Sequence, residues 1–249
     1  MTTYKADTVK KAVRERYAAV AQKGTSCCAP ATDATDGCCE PAEIRFTTKD
    51  AAEAIIGEAD LGLSCGSPTA FGDINPGDTV LDLGSGAGVD VFRAAQVVGP
   101  EGHVIGVDMT PDMNELAAAN AAQAGLENVE FRLGEIEHLP VVDGTIDLVL
   151  SNCVINLVPD KTKAFAEIHR VLAPGGRFVI SDIVTTGDLS DEVRSDLGLW
   201  ADCVSGAIDR ADYLGIIDRI GFSDVEVITS HPYGEGAPTE SITVRGFKR

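Results

Sequence analysis

Seven cysteines stand at positions 27, 28, 38, 39, 65, 153 and 203 of the 249-residue chain. The thiolate form of cysteine is a strong nucleophile and a soft ligand, so each is a candidate for chemistry with thiophilic centres. An odd count at irregular spacing argues against a disulfide framework and makes free thiols the default expectation. Cys65 lies in the glycine-rich turn LGLSCGSP, Cys153 directly after the apolar run IDLVLS, and Cys203 within LWADCVSGA. Three soft thiolates without a His-rich partner suit a thiophilic centre better than Mg²⁺ or Ca²⁺. Zinc usually takes a fourth ligand and CxxC knuckles, and the sequence has no CxxC. The plainer reading of Cys153 alone is a buried structural thiol, and at this point the two readings stand level.

A second constellation is VLDLGSGAG, residues 80–88. Gly84, Gly86 and Gly88, with Ser85 and Ala87 between them, let the backbone turn sharply and approach a ligand that a Cβ would push away. A dinucleotide site is the obvious rival. Two details count against it: the spacing is GxGxG rather than GxGxxG, and Asp82 sits two residues before the first glycine. Asp108 follows Gly88 by twenty residues, at the end of a second apolar run, where a carboxylate can accept both hydroxyl hydrogens of a ribose. In FRLGEIEHLP, Glu135 to Glu137 fall at a rim suited to an adenine edge. His138, His169 and His231 are isolated and read as structural or solvated.

These residues need elements to hold them. TVLDL, HVIGV, VEFRL, IDLVLS and RFVIS are short runs rich in β-branched residues, and helical segments at 89–98, 111–124 and 161–172 separate them. Such alternation predicts βαβ units around a mostly parallel, doubly wound, Rossmann-like sheet. Ahead of it, residues 8–22 read as an amphipathic helix capped by Asp7 and ended by Gly24, followed by a Cys-bearing loop and a helix over roughly 48–57. A mostly helical insert is expected at 187–210. After it come a helix at 211–221 and two strands near 224–230 and 241–248, the last one antiparallel. The expected division is an N-terminal helix and Cys-containing cap at 1–72, an α/β core at 73–186, and an insert with closing helix and strands at 187–249.

Acidic residues outnumber Lys and Arg by 39 to 20, for a net charge of −19. Such a surface repels nucleic-acid phosphates and anionic membranes, so neither is an expected partner. Self-repulsion relieved by screening points to a salt-adapted, halophilic source. No apolar run approaches the roughly 18–20 residues that span a bilayer, and the N-terminus lacks the pattern of a signal peptide. The expected location is cytoplasmic.

The five runs from VLDLGSGAG to VLAPGGRF, in that order over about residues 75–185, resemble the class I S-adenosylmethionine methyltransferase family. The resemblance implies a seven-stranded sheet. It implies that Asp82 and the glycine loop hold the methionine part of the cofactor and that Asp108 holds its ribose. It also implies that Met109 packs on the adenine, with Glu135 and Ile136 at its edge. SCGSPT, DLGSGAGVD, SNCVINL, SDIV and ADCVSGA closely resemble the arsenite methyltransferase family over most of residues 8–210, the N-terminal CC pairs included. That match implies that Cys65, Cys153 and Cys203 bind trivalent arsenic as catalytic thiolates, with a thiol or thioredoxin-type reductant as co-substrate. Asn152 and Asn156 flank Cys153 and either position the cofactor or the thiolates, or simply satisfy the turn. Leu63-Ser64 stand where eukaryotic members carry tyrosines.

Of the CC pairs, Cys38-Cys39 is the one favoured to join the thiol set, capturing arsenite or forming a transient disulfide with Cys65. The alternatives for Cys27, Cys28, Cys38 and Cys39 are a tail without a defined role and a structural zinc site. Two further readings of the whole chain stand beside this one. LGSGAG and LAPGGR also resemble quinone and sterol methyltransferases, which act on an organic acceptor. A metalloid sensor or sequestration protein would use the cysteines alone.

Overall fold

The structure, a computed structural model, describes residues 5–23, 59, 68–201, 203–234 and 238–249. Cys27, Cys28, Cys38, Cys39 and Cys65, with Gly24 and the helix expected over 48–57, lie outside the described residues.

Helix α1 (Ala6–Lys23) opens the described chain. It begins one residue before Asp7, which therefore sits in the first helical turn and not at the cap. There its carboxylate still meets the positive end of the helix dipole. The core follows as β1 (Thr79–Leu83), α2 (Val89–Val98), β2 (His103–Asp108), α3 (Pro111–Ala124), β3 (Val129–Leu133), β4 (Ile146–Asn152), α4 (Lys161–Val171) and β5 (Leu172–Thr185). Local chemistry sets these bounds. Gly88 takes a left-handed backbone at the start of α2, Pro111 opens α3 where its missing N–H is harmless, and left-handed Gly125 ends it. Asp160 caps α4 by accepting from the Lys163 amide at 3.0 Å.

Among the described residues from 187 to 209 only α5 (Asp191–Arg194) and α6 (Leu197–Ala201) are α-helical, so the insert is less helical than expected. The Asp196 side chain accepts from the amides of Gly198 and Leu199, restarting the chain after one turn. Helix α7 (Arg210–Ile220), β6 (Ser223–Pro232) and β7 (Thr239–Phe247) complete the fold.

The seven strands run in the order β3-β2-β1-β4-β5-β7-β6. All neighbouring pairs are parallel except those that β7 makes with β5 and β6. Alternate side chains bury on opposite faces. Leu81, Leu83, Ile105 and Val107 pack with Phe165 and Ile168 of α4 and Tyr213 and Ile217 of α7. Val80, Val104, Leu148 and Leu150 pack with Val91, Phe92 and Val98 of α2. Chain order runs outward in one direction from β1 and in the other from β4. The crevice at the carboxyl ends of these two strands is therefore the switch point where open α/β sheets bind ligands.

Candidate active site

A cavity of about 1100 Å³, its open mouth included, lies at that switch point. Its floor is the loop after β1. Gly84, Gly86 and Gly88 all take positive φ, at 67°, 51° and 99°. A Cβ on Gly84 would stand 2.5 Å from a methyl of Val154, and one on Gly88 2.5 Å from the Phe92 ring. A Cβ on Gly86 would meet nothing within 4 Å, because it would enter the cavity. Two of these glycines serve packing and the third leaves room for a ligand. Ser85 Oγ, beside them, is buried and has no hydrogen-bond partner among the described residues.

Three carboxylates face this space. Burial pushes the Asp82 carboxyl well above its ordinary range, and the charges of Asp90 and Asp108 push it further. Burial also raises Asp108, opposed by the amides of Thr110 and Gly86, which donate to its two oxygens at 2.8 and 3.0 Å. Asp90, in the first turn of α2, accepts from Asn152 Nδ2 at 3.2 Å and pairs with Arg93 at 3.3 Å. No described cation is paired with Asp82, and a ligand carrying positive charge would lower the energy of this acidic pocket. S-adenosylmethionine, with its ammonium and sulfonium groups, fits that need and the open face of Gly86.

The outer rim joins β2, β3 and α1. Met109 lines the cavity and packs against the cluster that contains Cys153 and Cys203. Ile136 is buried and also lines the cavity. Glu135 and Glu137 line it too, and Lys10 of α1 reaches both, with Nζ 2.8 Å from Glu135 Oε2. The hydrogen bond from Lys10 holds the Glu135 carboxyl below its ordinary range, with Arg14 adding to the effect. Helix α1 thus forms a wall of the cavity from which Lys10, Val13 and Tyr17 face inward.

Two of the three sequence-predicted thiols meet beside this wall. Cys153 and Cys203 are both buried and both take left-handed backbone at φ 60° and 65°, a conformation that side chains other than glycine adopt at a cost. Cys203 Sγ donates to the Cys153 carbonyl at 3.2 Å. Cys153 is in the disulfide state, against the expectation of free thiols, and its partner lies outside the described residues. Thiols gathered tightly enough to share one soft atom are also close enough to bond to each other. Cys65 lies outside the described residues.

Sequence reasoning missed Asp90, Lys10, Tyr17 and a buried charge network below the thiols. Lys161 Nζ donates to the carbonyls of Asn156 and Val158 at 3.0 and 3.1 Å. Asp182 accepts from the Ile183 amide at 2.9 Å and from the Tyr213 hydroxyl at 3.1 Å. Burial pushes Lys161 down and Asp182 up, and their mutual attraction opposes both shifts. Asp90 carried a signal, an acid two residues past the last loop glycine. Lys10, placed by contacts to residues far along the chain, carried none.

A parallel sheet in this order, reversed only at β7, with a glycine loop after β1 and acids at the ends of β1 and β2, is the class I methyltransferase architecture. A family model described as a methyltransferase domain matches residues 74–221. An arsenite methyltransferase of Halobacterium salinarum is 48% identical over 228 residues, covering 88% of this chain and 58% of that protein. The human arsenite methyltransferase is 38% identical over 161 residues, 61% of this chain and 43% of that protein. The crystal structure of an arsenic(III) S-adenosylmethionine methyltransferase from Chlamydomonas reinhardtii superimposes with a TM-score of 0.69 at 36% identity, covering 80% of this chain and 73% of that one. The chain belongs to the methyltransferase domain family and, within it, to the arsenite S-adenosylmethionine methyltransferases. It spans about half the length of the curated relatives it matches.

Proposed function

We propose that this protein transfers the methyl group of S-adenosylmethionine to trivalent arsenic held by cysteine thiolates, as a route of arsenic detoxification. The observation that carries the reading is the meeting of Cys153 and Cys203 at the edge of a cofactor-type cavity that Cys153 itself lines. S-adenosylmethionine, when bound, supplies an electrophilic methyl group for the arsenic lone pair and is left as S-adenosylhomocysteine. Asp82 and the loop Gly84, Ser85, Gly86, Gly88 take the methionine part, and Asn152 steadies Asp90 beside it. Asp108 accepts from the ribose hydroxyls, Met109 lies on the adenine, and Glu135 and Ile136 meet its edge.

Each thiol of Cys65, Cys153 and Cys203 that displaces a hydroxyl of As(OH)₃ forms one As–S bond and releases one water. Three sulfurs leave arsenic pyramidal, with its lone pair on the opposite side. No general base is needed at arsenic. The protein contributes alignment and exclusion of water, an orientation effect worth up to about 7–11 kcal/mol. Arsenic that accepts a methyl group becomes formally pentavalent, so a thiol or thioredoxin-type reductant must return two electrons. The same reductant would open the Cys153 disulfide before arsenic binds.

The excess of acidic residues is read as a surface adapted to salt. Neither nucleic acid nor membrane is a proposed partner, and no helix among the described residues is long and apolar enough to cross a membrane. A cytoplasmic location is part of the same reading. So is a division into a cap over residues 1–72, a cofactor core at 73–186 and a closing segment at 187–249.

The test is incubation of reduced protein with arsenite, S-adenosylmethionine and a thiol at several salt concentrations. Methylated arsenic is separated by chromatography and read by elemental detection, with Cys153→Ser in parallel. Methylarsenicals that vanish in the variant support the reading. Tight cofactor binding without any methylarsenical would overturn it in favour of an organic acceptor.

A further inference from the structure

Cys153 and Cys203 are fifty residues apart in sequence, and beside the Cys203 thiol itself a buried amide side chain ties their segments together. Asn156 lies in the short turn Ile155–Leu157 that follows Cys153, and it is fully buried. Its Nδ2 donates to the Cys203 carbonyl at 2.8 Å. Its own carbonyl accepts from the Lys161 ammonium at 3.0 Å, and its backbone N–H reaches the Asp182 carboxylate. The next carbonyl, that of Leu157, accepts from Trp200 Nε1 at 3.1 Å. A Cβ on Gly206 would overlap the Asn156 carbonyl, so the loop carrying Cys203 lies flush on this turn.

Stability alone does not account for this choice of residue. Asn156 Oδ1 is buried and has no hydrogen-bond partner among the described residues, which for an amide is a net penalty. Both cysteines also hold a left-handed backbone that persists only where its surroundings enforce it. The bond to the Cys203 carbonyl supplies that enforcement at one of them. A pyramidal three-coordinate centre tolerates little change in the separation of its donors, and a misplacement of about 1 Å in such a site can cost about 10²-fold.

We infer that Asn156, anchored by Lys161, is a positioning residue that sets the separation and direction of the Cys153 and Cys203 sulfurs. The inference rests on the reading that these two thiols hold the arsenical. In that role Asn156 acts on substrate affinity and leaves the cofactor pocket alone, since it is absent from the cavity lining.

Trp200 is the single tryptophan of the chain and packs in the same cluster as both cysteines, so its fluorescence reports occupancy of the pair. The probe is phenylarsenous acid, which takes two sulfurs, titrated into the reduced protein. Wild type, Asn156→Leu and Lys161→Met are compared, with S-adenosylmethionine affinity measured by calorimetry on the same samples. The expected result is a loss of arsenical affinity of about 10- to 100-fold in Asn156→Leu. A smaller loss in Lys161→Met and unchanged cofactor affinity in both complete it. In turnover, KM for arsenite rises more than kcat falls. Should Asn156→Leu fail to bind cofactor and so prove unfolded, Lys161→Met decides. Variants that bind the arsenical as tightly as wild type overturn the positioning role while leaving the thiol site intact. A wild-type protein that binds cofactor but no arsenical overturns the thiol site and the positioning role together.

Discussion

Replacing Gly84 by alanine should damage the protein through the thiol turn, although Gly84 belongs to the glycine loop after β1. The new Cβ would stand 2.5 and 2.6 Å from the two methyls of Val154, the residue that follows Cys153. Val154 must yield, and the Cys153 turn moves with it. Overpacking of this kind costs about 1–3 kcal/mol, and an alanine held at φ 67° adds about 1–2 kcal/mol. The expected destabilisation is about 2–5 kcal/mol, or about 4–20 °C in Tm for a protein of this size. Gly86→Ala is the control. Its φ of 51° carries the same backbone cost, but the Cβ meets nothing within 4 Å. It should lose only about 2–8 °C, and its main defect should be cofactor affinity, because the methyl enters the cavity. Thermal unfolding of both variants in one buffer isolates the clash, and calorimetry with S-adenosylmethionine reads the cavity. Equal melting temperatures would refute the argument, since backbone strain alone would then explain both.

Asp82→Asn should stabilise the cofactor-free protein while abolishing cofactor binding. The raised Asp82 carboxyl means that the folded state holds more protons than the unfolded one, so its share of stability falls as pH rises above about 4. Melting curves from about pH 4 to pH 8 should fall less steeply in the variant, and identical slopes would count against this. Lys10→Met removes the partner of Glu135 and Glu137 and should speed hydrogen exchange across Ala6–Lys23. Because Lys10 depresses the Glu135 carboxyl, the pair stabilises above the ordinary glutamate range, and that contribution disappears as pH falls through the lowered value. The acid limb of the wild-type melting profile should therefore flatten in Lys10→Met. With a net charge of −19, the protein should melt higher as salt rises from about 0.1 to about 1 M, which shrinks the Debye length from about 10 to about 3 Å. Highest stability in dilute buffer would refute the salt-adapted reading.

The parts of this fold that were legible in sequence are those whose causes are local. Helices α2 and α3 fall at 89–98 and 111–124 as expected, because Gly88, Pro111 and Gly125 mark their ends within one residue. The strands read well because a parallel sheet covered on both faces needs continuous apolar runs. The insert read poorly. Its apolar residues, Trp200 and Ala207 among them, are buried by α1 and the thiol turn rather than by a long helix of their own. The site divides in the same way. Asp82, the glycines and Asp108 stand out by spacing and Asn156 by its place beside Cys153, whereas the bonds of Lys10 to Glu135 and of Asn156 to Cys203 cross 125 and 47 residues of chain, where no spacing rule reaches. Lys161 was invisible for a different reason. A lysine at the start of a helix ordinarily faces water, and here it turns inward to two carbonyls.

The placement of β7 also bears on how the chain reaches this state. Although it comes last in chain order among the seven strands, it is an interior strand, bonded to β5 on one side and β6 on the other. Until Thr239–Phe247 leaves the ribosome, the β5 residues Arg177–Thr185 form an edge without their β7 partners, and β6 lacks the strand it pairs with. Such an edge is an invitation to intermolecular pairing. The first five strands can assemble in order during translation, but the sheet closes only when β7 arrives, by insertion. A nascent chain stalled before residue 239 would carry a nearly finished cofactor pocket on a scaffold still open to aggregation. The pace of synthesis between β5 and β7, and the presence of a chaperone, should then govern the yield of folded protein more than any residue of the candidate site does.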